Sequence, residues 1–294
     1  MKTETFTLVS GATGATGRAA IESLLKKNQR VRALVRKGDE KAAALRAQGV
    51  DVAVGDFKNI DGLRAALEGV GSAYFLYPLA PGIIEATAYF AQAAREAGVS
   101  AIVNMSQISA RREAKSHLAR DHWIAERLFD WSGIPTTHLR PTFFSEWLTY
   151  PSFGGEIKKH RHIQLPFESA PHAPIAAEDI GRLVGSILAN PVPHSGQVYT
   201  LHGPVEMSYY EIAQAMSDEL GVKISYSPIS VEDFRRRMEE AYRFPPSVVQ
   251  HLVEVSQDFR DGVFSGTNNI IERVTGEPPM TVQNFVSQHR SKFA

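Results

Sequence analysis

The chain has 294 residues, 43% hydrophobic and 22% charged, the balance of a folded globular protein with one large domain or two modest ones. Lys+Arg and Asp+Glu number 32 each, so the basic excess that a nucleic-acid binder carries is missing. No cysteine is present, which excludes disulfides, thiolate metal sites and a cysteine nucleophile. The opening MKTETFTLVSG lacks the apolar region and cleavage site of a signal peptide, and no apolar run approaches the roughly 18 residues of a membrane span. The expectation is a cytoplasmic globular protein with neither membrane nor nucleic-acid partner.

In chain order, Thr5–Ser10 is β-branched and aromatic and reads as a strand. Residues 17–29 place Ala20 and Leu24 at helical spacing. Arg30–Arg36 alternates as a second strand, and 40–49 is a helix stopped by Gly49. Residues 50–56 form a third strand, followed by a helix over 59–70 with Asp61 as its expected N-cap. A fourth strand spans 72–78, and a helix over 84–99 stops at Gly98. Ala101–Ser106 is a fifth strand, 119–134 a helix and 135–141 a sixth strand. This alternation with short connections predicts an α/β fold, a doubly wound parallel sheet with helices on both faces.

After Pro141 the rhythm breaks into a Pro- and Gly-rich stretch. Helices are legible at 176–191 and 208–221, strands at 196–203 and 223–230, and helical segments at 231–242 and 247–262. The division expected is a dinucleotide-binding domain over 1–150 and a smaller α+β substrate lobe over 151–294, some of whose segments pack back on the first.

The stretch GATGATG sits between the first strand and the first helix. Gly11, Gly14 and Gly17 free the backbone for positive φ and remove side chains from the path of a close ligand. The following helix aims its N-terminal amides at the turn, which suits a pyrophosphate. A strand before and a helix after are the context a dinucleotide turn requires, so Gly11, Thr13, Gly14, Ala15, Thr16 and Gly17 are candidate cofactor-binding residues. An NAD site usually ends its second strand with an acid on the ribose. Here Arg36 and Lys37 stand there instead, and a guanidinium grips a 2′-phosphate that a carboxylate would repel. NADPH is the expected cofactor; Asp39 is near enough to meet a ribose, so NADH stays open. By position, Asp56 and Phe57 are expected to bracket the adenine, with Tyr77 and Pro78 beside the dinucleotide path.

Taken together, GATGATG, RALVRK, GDF, HWIAERLFDWSGIPTTHLRPTFFSEWL and GQVYTLHGPVEMSYYEIAQAMSDELG resemble the NmrA-like family of atypical short-chain dehydrogenase/reductases, over nearly the whole chain. Within it the sequence looks most like the bacterial NAD(P)H-dependent quinone, azo-dye and triphenylmethane-dye reductases. The family also includes NADP-sensing regulators without established redox chemistry. The wider superfamily uses Tyr-x-x-x-Lys on the helix after the fifth strand. Aligned on the G-I-P-x-T-x-L-R-P pattern, the lysine position falls on His122 and the tyrosine position on Leu118, so the dyad is absent. The dye and quinone reductases similarly carry histidine there.

The absence has chemical meaning. Hydride transfer to a ketone makes an alkoxide whose conjugate acid has a pKa of roughly 16, so a positioned acid helps greatly. A quinone yields a hydroquinone anion with a pKa of roughly 10, and a cationic triarylmethane carbon needs no proton. His122 is therefore a candidate for bonding the nicotinamide ribose or relaying a proton, with Glu126 one turn on to orient it. Ser106, at the end of the fifth strand, stands where the superfamily often places a serine near the reacting carbon. Phe143 and Phe144 suit a flat aromatic substrate.

His160 and His162 offer two metal ligands without an evident third, and no G-x-S-x-G elbow supports a hydrolase. Neither flavin nor metal is expected. Two readings stay open: an NADPH-dependent reductase of quinone, azo or related aromatic acceptors, and a non-catalytic NADP(H) sensor that binds a regulatory protein partner. An epimerase is disfavoured by the missing tyrosine, and an isoflavone-type reductase by the missing lysine. Self-association is compatible with either reading.

Overall fold

The computed structural model describes residues 5–150, 152–153 and 155–293. Strands β1 (Phe6–Ser10), β2 (Arg30–Val35), β3 (Asp51–Val54), β4 (Val70–Phe75), β5 (Ala101–Met105) and β6 (Thr136–Pro141) alternate with helices α1 (Ala15–Lys26), α2 (Glu40–Ala47), α3 (Ile60–Leu67), α4 (Ile83–Glu96) and α5 (His117–Ser132). Beyond them come α6 (Gly155–His160), β7 (His162–Leu165), α7 (Ala177–Ala189), β8 (Val198–Leu201), α8 (Tyr209–Leu220), β9 (Ser225–Pro228) and α9 (Val231–Arg236). Helices α10 (Pro246–Arg260), α11 (Ile270–Thr275), α12 (Val282–Gln288) and α13 (Arg290–Phe293) complete the described chain.

Seven strands form one sheet in the order β3-β2-β1-β4-β5-β6-β8, and the first six run parallel. The chain winds outward from β1 to β3, then returns to lay β4 on the other side of β1. That reversal opens a crevice beyond the carboxyl ends of β1 and β4, where doubly wound sheets hold their ligands. Helices on both faces explain why β5 is buried along its whole length rather than alternately.

By packing, the chain divides into two compact units interleaved along the sequence: Met1–Arg112 with Asp121–Arg140 and Glu178–Tyr199, and Glu113–Arg120 with Pro141–Ala177 and Thr200–Ala294. In the first, Phe75 packs against Phe90 and Phe129 at ring separations of 5.0 and 5.1 Å, within a core that includes Leu8, Leu34 and Leu63. Helix α7 crosses α1 closely: a Cβ on Gly181 would fall on Ala19, and one on Gly185 on Ser23. In the second, β7 and β9 pair in parallel, and α8 opens with a capping box between Ser208 and Glu211.

The expected N-cap of α3 is corrected. Asn59, not Asp61, precedes the first helical residue, and its side chain accepts the Gly62 N–H at 3.0 Å; Asp61 stands in the first turn. The helical segment expected over 231–242 is α9 followed by a wider π turn from Arg237 to Ala241. No helix among the described residues is long and apolar enough to cross a membrane.

Candidate active site

The glycine turn begins where β1 ends. Ser10, fully buried, accepts the Leu76 N–H at 2.8 Å and donates to the Tyr74 carbonyl at 3.0 Å, which ties β1 to β4 at the mouth of the crevice. Gly11 follows at φ +61°, and a Cβ there would lie 2.5 Å from Leu76 Cδ2. The Gly14 N–H closes the turn on the Gly11 carbonyl at 2.9 Å. A Cβ on Gly17 would overlap that same carbonyl, its oxygen within contact and its carbon at 2.7 Å. Gly11 and Gly17 therefore let α1 press against the turn. Thr16 and Gly17 are buried, whereas Thr13, Gly14 and Ala15 are exposed.

Helix α1 begins at Ala15 with Gly14 as N-cap, so no side chain caps it, and its first turn carries no acid. Asp39, Asn59, Ser208, Ser230 and Thr281 cap other helices with side-chain oxygens. The first amides of α1, beside an exposed backbone stretch, thus retain donors and a positive dipole end for an anion. A pyrophosphate fits this cradle.

At the end of β2, Arg36 and Lys37 are exposed and have no ion-pair partner among the described residues. Arg32, four residues earlier, is by contrast tied to Asp51 at 2.5 Å and to the Glu68 carbonyl at 2.7 Å. The Asp39 carboxylate accepts the Lys41 and Ala42 N–H groups at 3.1 and 3.2 Å, so it is occupied as the α2 cap. Asp56 is exposed and accepts the Lys58 N–H at 2.9 Å. The Phe57 ring is half-buried against Phe75 and Tyr77, at 5.1 and 5.7 Å. Tyr77 donates its hydroxyl to the Pro81 carbonyl at 3.1 Å, and Pro78 is exposed.

Asn104 of β5 pairs with Phe75 of β4, and Ser106 follows the last residue of β5. Ser106 is buried, and its Oγ lies 2.6 Å from Oε1 of Glu126, which has no exposed surface. Arg140, at the end of β6, grips the same carboxylate with both forks, Nε at 2.8 Å and Nη2 at 2.5 Å. The bond to Glu126 holds the Arg140 guanidinium more firmly charged than usual, against the opposing effect of burial. Arg127 adds a longer contact at 3.5 Å and also pairs with Asp130 at 3.0 Å. His138 bridges Asp130 and Asn104 at 3.1 and 3.0 Å. His122 is buried one turn before Glu126 on α5, and Leu118 is buried one turn before that.

Phe143 and Phe144 belong to the second unit. Phe143 is buried and stacks on Phe264 at 4.7 Å, with Trp147, Phe167 and Phe259 around it. Phe144 is half-buried. His160 ends α6, Arg161 turns with φ +55°, and His162 bonds Ser227 at 2.8 Å. Among the described residues no three His, Asp or Glu side chains converge on a metal position. An open depression of about 280 Å³ beside α9 is lined by Asp233, Arg236, Arg237 and Glu240. It lacks the site residues, and Arg236 is already paired with Asp233 at 2.6 Å.

Sequence reasoning left Arg140 without a role, although an arginine near the end of the mostly buried TTHLRP strand marks a charge that needs a partner. It also passed over Ser10, the polar residue closing an apolar run just before Gly11.

The sequence matches the NmrA-like family over residues 3–286. The NAD(P)H azoreductase of Xenophilus azovorans is 29% identical over 288 residues, covering 97% of this chain and 98% of that protein. The NADPH-dependent quinone oxidoreductase of Escherichia coli, solved with NADPH, superposes with a TM-score of 0.85 at 25% identity, covering 96% of this chain and 99% of that one. A negative transcriptional regulator, NmrA in complex with NADP, shares the fold at 17% identity and a TM-score of 0.80, covering 97% of this chain and 95% of that one.

Proposed function

The chain belongs to the NmrA-like family, and from that membership we propose that it is an NADPH-dependent reductase delivering a hydride directly to a quinone, azo or related aromatic dye-like acceptor, without flavin or metal. The reductase half is supported by the relatives, an NAD(P)H azoreductase and an NADPH-dependent quinone oxidoreductase. The observation that carries the cofactor half is the unpaired Arg36 at the end of β2, beside an Asp39 already spent on the α2 cap. A 2′-phosphate would meet a guanidinium there and no free carboxylate.

Gly14 and Ala15 would hold the pyrophosphate on the α1 amides, with Thr13 beside them, while Gly11, Thr16 and Gly17 keep the turn tight. Arg36 and Lys37 would take the 2′-phosphate, with Asp56 and Phe57 toward the adenine and Tyr77 and Pro78 along the dinucleotide. NADPH, when bound, supplies the hydride. His122 would bond the nicotinamide ribose or hand on a proton from water, and Ser106 would stand beside the reacting centre. Leu118 offers no acid, which favours acceptors that spread or neutralise the charge they gain. Phe143 and Phe144 would contribute the aromatic surface for a flat substrate.

The test is loss of reduced-nicotinamide absorbance with purified protein, supplying NADPH or NADH and one acceptor at a time: benzoquinone, an azo dye, malachite green, cyclohexanone. The expected result is turnover of quinone or dye, little with the ketone, and a loss of at least tenfold in NADPH kcat/KM for Arg36→Ala that NADH does not share. Tight NADPH binding with no turnover of any acceptor would refute catalysis and favour the sensor reading.

A further inference from the structure

The Ser106 hydroxyl has a defined polarity. Glu126 is fully buried, and its two oxygens face Ser106 Oγ, both forks of Arg140 and an Arg127 nitrogen. An ionised carboxylate only accepts, so the 2.6 Å bond requires Ser106 to donate. A protonated Glu126 would have to surrender part of the bidentate Arg140 pair, leaving a half-buried guanidinium edge without its counter-charge. Ser106 therefore presents only lone pairs to a substrate. Nor can it give its proton away, because the resulting alkoxide would stand 2.6 Å from a buried carboxylate.

Resting on the reductase reading, we propose that Glu126, clamped by Arg140, is a positioning residue that fixes Ser106 as a hydrogen-bond acceptor, and that this lock restricts the enzyme to acceptors whose reduction needs no acid from Ser106. A cationic triarylmethane carbon takes the hydride, forms a C–H bond and needs no proton. A quinone takes the hydride to become a hydroquinone anion, which draws its proton from water and leaves hydroxide to the buffer. An aldehyde or ketone would become an alkoxide, far more basic than a hydroquinone anion, and would meet the Ser106 lone pairs where it needs a donor.

Two measurements test this. The first is neutron diffraction from deuterium-exchanged crystals of the protein. The expected map shows deuterium on Ser106 Oγ pointing at Glu126 and none on the carboxylate; deuterium directed elsewhere, or bound to Glu126, overturns the proposal. The second compares kcat/KM for 4-nitrobenzaldehyde and benzoquinone. Glu126→Gln should raise the aldehyde-to-quinone ratio at least tenfold by freeing the Ser106 proton, and Ser106→Ala in the Glu126→Gln background should abolish the gain. Should E126Q fold poorly, the paired E126Q/R140Q variant removes the orphaned charge and makes the same prediction. An unchanged ratio in the folded variants overturns the lock. A wild-type chain inert toward every acceptor overturns the proposed function and the specificity half with it, while the deuterium map still decides the bond's polarity.

Discussion

Mild acid should destabilise the second unit well before its carboxylates titrate. His172 is buried among rings, stacked on Tyr209 at 5.3 Å and edge-on to Phe259 at 5.0 Å, and burial, aided by neighbouring His202, pushes its pKa down to about 3. His251 is buried against Ser116 at 2.7 Å; burial lowers it to about 4, with Asp258 opposing. Both folded values lie below the unfolded value of about 6.5. The unfolded chain therefore binds more protons as pH falls through 6.5, and folding stability must fall with it. Between pH 7 and pH 5 the proton-binding term of each unfolded histidine, 1 + 10^(pKa − pH), grows by about 1.4 powers of ten, a gain the folded state does not share. At about 1.4 kcal/mol per power of ten this costs about 2 kcal/mol per residue, or about 4 kcal/mol together. At pH 5 the result hardly depends on where below 5 the folded values lie. Glu211, held low by the Ser208 backbone, and Asp233, held low by the Ser230 hydroxyl, lose their contributions only as pH falls further. Urea unfolding at the two pH values measures the loss. His172→Phe keeps the stacked ring and removes that titration, so it should recover about 2 kcal/mol of the loss; His202, also lowered by burial, continues to contribute. Equal stability at pH 7 and pH 5, or a His172→Phe variant with the full wild-type loss, would refute the reasoning.

Arg140→Met should cost about 3–5 kcal/mol because it strands the buried Glu126 charge, seen as a lower melting temperature; adding Glu126→Leu should recover much of it. Gly17→Val drives a side chain into the Gly11 carbonyl, whose carbon lies 2.7 Å from the position of a Cβ, and calorimetry should show NADPH affinity reduced at least tenfold. Asp39→Ala removes the α2 cap, at about 1 kcal/mol of stability, yet leaves the NADPH-to-NADH preference in kcat/KM unchanged, because that carboxylate serves the helix and not the ribose.

The sheet was legible because its period is. The apolar strands, the glycines and the helix stops at Gly49 and Gly98 declare themselves locally, and β1 to β6 fall within a few residues of their expected ends. β7 was not legible: four residues, HIQL, alternate half-buried and buried against β9 more than fifty residues away, and no local pattern announces such a partner. The glycine turn carried most of its own meaning, since Gly17 is demanded by the Gly11 carbonyl six residues earlier, although the Leu76 contact of Gly11 is supplied by a distant strand. The Ser106–Glu126–Arg140 cluster did not. Its members are 20 and 14 residues apart, just after β5, on α5 and on β6, and only folding joins them. Glu126 was expected to orient His122 along the helix; across it, the carboxylate binds a serine and an arginine whose charges and hydroxyl a helical wheel cannot show.

The measurement closest to the central claim is the fate of the transferred hydrogen. NADPH carrying deuterium at the reactive face of nicotinamide C4, prepared in both stereochemical forms, would be oxidised by the protein with malachite green in ordinary water. The colourless product's central C–H bond does not exchange with solvent. Direct transfer predicts a product one mass unit heavier from one of the two labelled forms. A product with no deuterium from either form would show that the electrons travel by another route, and would contradict the account.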